Sequence, residues 1–103
     1  MKQINRLLLL LILLLSNTVI FAQGRRTITG VVNDNAGVPL PSATVTVKNT
    51  TNSTTTDQNG RDSISVDGNN AVLVFSSVSF GTREVTVGTS TSLNVTLELV
   101  GSD

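Results

Sequence analysis

From Thr27 onward, apolar residues recur at every second position, with Thr, Ser, Lys or Glu between them. A period of two is the signature of a β-strand with one buried face. The pattern predicts a first strand over Thr27–Val32, with Ile28, Gly30 and Val32 on one face. A second over Ala43–Asn49 turns Ala43, Val45 and Val47 inward and Thr44, Thr46 and Lys48 to water. Thr50–Thr56 is polar and β-branched and reads as an exposed edge strand. The fourth strand, Arg61–Val66, places Asp62, Ile64 and Val66 on one face. Ala71–Phe75 is apolar without a break, the pattern of a central strand covered on both faces. Glu84–Val87 is the sixth strand, with Val85 and Val87 inward, and Ser92–Val100 is the seventh, with Leu93, Val95, Leu97 and Leu99 on one face. No helical periodicity appears in this region. Seven short strands separated by turns predict a single β-sandwich.

The punctuation is as informative as the strands. Gly30 inside a strand suggests a bulge or the close approach of another backbone. Asn33–Gly37, with Asp34 and Gly37, is a hairpin-type turn. Pro39 and Pro41 bracket Leu40, and neither can donate to a ladder, so this run is extended, at an edge, with Leu40 inward. Asp57–Gly60 is a second turn, in which Asp57 should accept hydrogen bonds from turn amides and Gly60 should take positive φ.

The first 22 residues follow a different rule. Lys2 and Arg6 precede the apolar block Leu7–Leu15, and the segment ends at Ala22 before Gln23. A positive start, a short apolar run and a small final residue make a secretory signal peptide, with cleavage between Ala22 and Gln23. The apolar run is about half of the roughly 20 residues a spanning helix needs. The expected organisation is therefore a signal segment over 1–22 and one sandwich domain over 23–103. That domain has five basic and seven acidic residues, a net charge of −2. This is no basic surface for nucleic acid, and few aromatics are present for stacking. With no cysteine, an exported domain of this size must rest on its apolar core.

Residues for chemistry are scarce. No His and no Cys occur, which removes imidazole acid–base catalysis and thiol nucleophiles. Lys48 falls on a solvent face, and no G-x-S-x-G elbow occurs. Asp57, Asn59 and Asp62 hint at a calcium loop, but Gly60 directly follows Asn59 and the twelfth position is Gly68 rather than Glu. A turn is the better reading. We expect no catalytic residue, metal or cofactor.

The string Thr29-Gly30-Val31-Val32-x-Asp34-x-x-Gly37-x-Pro39-Leu40-Pro41-x-Ala43-x-Val45, followed by Thr56-Asp57-x-x-Gly60 and Ile64-Ser65-Val66, resembles the carboxypeptidase regulatory-like domain. Together with Ala71–Ser76 and Glu84–Val87 it is most similar to the copy at the N-terminus of SusC-like, TonB-dependent outer-membrane receptors. The resemblance implies a transthyretin-like, seven-stranded antiparallel Greek-key sandwich. It implies a non-catalytic module on the periplasmic side of the outer membrane of a Gram-negative bacterium, in a receptor for glycans or other nutrients. Its partners would be the receptor's plug and barrel and, through them, the TonB system. The chain stops at Asp103, before any barrel, so it is either a fragment or truncated product of a receptor gene, or a free-standing exported binding or structural domain.

Three positions depart from the family pattern: Ser42 stands where Gly is usual, Asp62 where an aromatic is usual, and Ser77–Gly81 where a Tyr-rich run is usual. Asp62 is the sharpest, because strand parity turns it toward the core. A buried unpaired carboxylate is costly. Either it reaches water at the strand mouth, or Arg61 or Arg83 pairs with it.

Overall fold

The computed structural model describes residues 24–100; the signal segment and the Ala22–Gln23 bond lie outside them. Seven strands form: β1 Arg25–Asp34, β2 Thr44–Val47, β3 Ser53–Thr55, β4 Arg61–Asp67, β5 Val72–Ser76, β6 Arg83–Thr86 and β7 Val95–Leu97. They make two sheets, one in the order β4-β1-β7 and one in the order β3-β2-β5-β6. Among the described residues no helix is long and apolar enough to cross a membrane.

The core follows from strand parity. In β4 every second residue is buried, beginning at Asp62. Ile28, Val32, Ile64, Val66, Val95 and Leu97 from the first sheet meet Ala43, Val45, Val47, Leu73, Phe75 and Val87 from the second. Phe75 is the largest fully buried side chain and pairs with Val45 across the β2–β5 ladder. Each buried Val, Leu, Ile or Phe stabilises the fold by about 1.5–3 kcal/mol through removal of its apolar surface from water.

Several strands differ from the pattern-based expectation, each for a local reason. The first strand runs to Asp34 because Val32, Asn33 and Asp34 pair with Val95, Thr96 and Leu97. That ladder is parallel, the one such ladder among the described strands, where antiparallel pairing throughout was expected. β2 ends at Val47, since Asn49 takes a φ of 65° and turns the chain. β5 is interior to its sheet but covered on one face only: Leu73 and Phe75 are buried, whereas Val72 and Val74 are half-exposed. On that outer face Val74 lies between Thr46 and Glu84, a polar surround that the uninterrupted apolar run did not announce.

β7 has three residues instead of nine. Ser92 and Leu99 make only isolated bridges, to Thr29 and Phe80, and Leu99 is exposed. The interruption has a cause at Gly30. A β-carbon at Gly30 would lie 1.7 Å from the Leu93 carbonyl oxygen, so the Leu93 backbone crosses where any other residue would carry its side chain. Asn94 then offers its Oδ1 to the Val31 amide at 3.1 Å, replacing the ladder bond that the displaced backbone cannot make.

Candidate functional site

Of the motif residues, Gly30 lies within β1 against the Leu93 backbone, whereas Asp34, Gly37, Pro39, Pro41, Asp57 and Gly60 gather at one end of the sandwich. There the β1–β2 connection meets the β3–β4 turn. Asp34 Oδ1 accepts from the amides of Ala36 and Val38 at 2.8 and 2.9 Å, and the Asp34 carbonyl accepts from Gly37 at 3.0 Å. Gly37, at φ 83°, lets the chain return. Pro39 forms an isolated bridge with Asn33, and Leu40 donates to the Val32 carbonyl at 2.8 Å and packs half-buried against the core. Proline suits position 39 because the bonds here run through the neighbouring amides of Val38 and Leu40. Pro41 leads into Ser42, which stands at φ 59°.

The β3–β4 turn repeats the device. Asp57 Oδ1 accepts from Asn59 and Arg61, both at 2.9 Å, and the Asp57 carbonyl accepts from Gly60 at 3.0 Å. Gly60 is constrained twice. Its φ is 73°, and a β-carbon there would come within 2.6 Å of the Val32 carbonyl and 3.0 Å of Pro39 Cβ. Its carbonyl accepts from Val32 at 2.8 Å, so the turn is fastened to β1. Asp57 thus spends its Oδ1 and its carbonyl on the turn itself, and Asn59 contributes its backbone amide. Among the described residues no cluster of three or more His, Cys, Asp or Glu could hold a metal ion.

Two participants were not legible in the pattern. Thr56, read as part of an exposed edge, is buried; its hydroxyl accepts from the Ala43 amide at 2.9 Å and donates to the Leu40 carbonyl at 2.5 Å. The Thr56 backbone also bonds Ser42 and Ala43, so one threonine ties β3 to the Leu40–Ala43 approach. A buried hydroxyl with both functions satisfied costs little, and only its position immediately before Asp57 could have suggested the role.

The other is Arg26, which stands just before the first strand predicted from the pattern. Its guanidinium donates to the carbonyls of Gly68 at 2.8 Å, Ser90 at 3.2 Å and Gly88, and to Asn69 Oδ1 at 3.0 Å. One side chain thereby holds the β4–β5 and β6–β7 turns together at the opposite end. Nothing local in the sequence marks this, because the partners are 42 to 64 residues away.

Asp62 resolves the question posed by parity. It is 8% exposed and shares the inward face with Ile64 and Val66. The expected pairing with Arg61 or Arg83 is not made. Its Oδ2 is buried without a hydrogen-bond partner, and no ion pair reaches it among the described residues. Burial pushes its carboxyl above the ordinary value of 3.8. It borders an open groove of about 330 Å³ with Gly30, Arg61 and Asn94.

Comparison with known proteins agrees with this geometry. Residues 28–103 match the model of the CarboxypepD_reg-like domain. The chain is 33% identical over 98 residues, 95% of its length, to TonB-dependent receptor P3 of Formosa agariphila. It is 32% identical over 90 residues to TonB-dependent receptor P39 and 45% identical over 62 residues to TonB-dependent receptor P26 of the same organism, covering 87% and 60% of the chain. It spans 10%, 9% and 6% of these receptors, respectively. Among solved structures, the fold is similar to a chain of a type II cohesin–X-dockerin complex, an N-terminal interface mutant from Acetivibrio cellulolyticus. The TM-score is 0.60 at 22% identity, covering 71% of this chain and 57% of that one. The C-terminal interface mutant of the same complex gives 0.54 at 25% identity, covering 68% and 51%. Seven strands in two sheets, fastened at the two Asp–Gly turns that the motif specifies, and a family match from Ile28 to the last residue lead to one conclusion: the chain belongs to the CarboxypepD_reg-like domain family.

Proposed function

We propose that the chain is the exported, non-catalytic N-terminal module of a TonB-dependent outer-membrane receptor, standing on the periplasmic side and serving nutrient uptake, with glycans as the expected cargo. The observation that carries this reading is the 95% coverage of the chain by a match to a tenth of a TonB-dependent receptor. The signal-like segment with cleavage between Ala22 and Gln23 supports it, since such a receptor must leave the cytoplasm. The motif supports the non-catalytic part: its Asp, Gly and Pro residues are consumed in holding turns. In this reading the module's partners are the plug and barrel that follow it and, through them, the TonB system.

The test is fractionation of the host's envelope with an antibody raised against residues 24–100. The proposal expects one outer-membrane band about ten times the size of this chain, as the receptor matches imply. A domain-sized periplasmic species as the sole product would overturn it and favour a free-standing sandwich.

A further inference from the structure

We propose that Asp62 is an acid latch: as a neutral carboxylic acid it donates a hydrogen bond to the Leu93 main-chain carbonyl, and the contact is lost when the carboxyl ionises. The geometry begins at Gly30. Asp62 is its cross-strand partner in the β1–β4 ladder, so the two residues present the same face. β-Carbons so paired lie about 4.5–5.5 Å apart. The Leu93 oxygen sits 1.7 Å from where the Gly30 β-carbon would be, which puts it within reach of the Asp62 carboxyl. Both groups lack partners. Asp62 Oδ2 is buried and unbonded, and no donor among the described residues reaches the Leu93 oxygen. An ionised carboxylate brought against that carbonyl oxygen would be repelled by it, whereas a protonated carboxyl supplies the missing donor. Burial already favours that form.

The surrounding charges leave the latch to itself. Arg61 is the one other ionisable group lining the groove. On β1, Arg25 pairs with Asp67 at 3.5 Å, Arg26 serves the turn carbonyls, and Asp34 caps its own turn. Residues 88–97, which carry the acceptor, contain no ionisable side chain. On the facing sheet Lys48 pairs with Glu84 at 2.9 Å, and Arg83 donates to the Thr96 carbonyl. Asp57 is held by its turn, and Glu98 follows β7.

The sign follows from linkage. A folded-state pKa above 3.8 means that the folded chain binds the proton more tightly than the unfolded one. The contribution of Asp62 is therefore complete below about pH 3.8 and is lost as pH rises through the folded value. The latch closes the Leu93–Val95 crossing onto β1 in acid and slackens toward neutrality.

The experiment is a carbon-detected NMR titration of the wild-type chain from pH 3 to 8, paired with urea unfolding of wild type and Asp62→Asn. The Asp62 carboxyl carbon should titrate above 3.8, and the Leu93 carbonyl carbon should shift with the same midpoint. The wild-type unfolding constant should rise relative to that of Asp62→Asn with pH, tenfold for each unit by which the folded pKa exceeds the unfolded one. A Leu93 signal that ignores the Asp62 midpoint, a carboxyl that titrates at or below 3.8, or a pH-independent ratio would each overturn the latch. Should Asp62→Asn fail to fold, the two wild-type carbon signals still decide.

Discussion

Single residues explain most of what the motif is for. Gly60 is required by its φ of 73° and by the 2.6 Å approach of the Val32 carbonyl. A Gly60→Ala change should lower stability by about 1–3 kcal/mol for the backbone conformation alone, with the clash in addition. Urea midpoints check it; an unchanged midpoint would mean that the turn can relax freely. Ser42 is the reverse case. It holds φ 59° where the family pattern has Gly, so Ser42→Gly should stabilise by about 0.5–1 kcal/mol, the left-handed penalty less the added chain entropy of glycine. Asp62 is the third. At neutral pH, Asp62→Phe should stabilise by about 1–3 kcal/mol, by removing a buried carboxylate and adding apolar area over the adjoining groove. A lower midpoint would show that the crowding by the Leu93 backbone outweighs both gains.

At the scale of elements, the strands were legible wherever one face is buried and the other wet, as in β2 and β4. Period two is a direct print of that asymmetry. Gly30 was legible too, because a glycine in a strand signals a close backbone, here that of Leu93. What escaped were features set by distant partners. The short β7 depends on the Leu93 crossing, the half-exposed face of β5 on its polar neighbours, and the role of Thr56 on a carbonyl and an amide 13 to 16 residues earlier. Arg26 is the extreme example. Its replacement by Ala frees two turns at once, and should cost about 1–2 kcal/mol, given that charge-assisted hydrogen bonds are lost from a half-exposed site. Amide exchange should quicken at Gly68–Asn70 and Gly88–Ser90 and stay slow in β2 and β5. Faster exchange across the whole sheet would indicate global loosening instead of a local staple.

The whole molecule is a sandwich: among the described residues, the buried apolar side chains lie between Ile28 and Leu97, and the sheets are fastened at both ends by turn hydrogen bonds. Its motif residues serve that fastening, and its relatives are receptors about ten times longer. Signal cleavage is the first prediction: the mature N-terminus in the host should be Gln23, and a mature protein that still begins at Met1 would contradict the signal reading. The most direct test of the central claim is the host's coding sequence past Asp103. An open frame encoding a plug and then many amphipathic strands of about ten residues is the predicted result. A frame that closes at Asp103, with no receptor sequence beyond it, would contradict the assignment to a receptor.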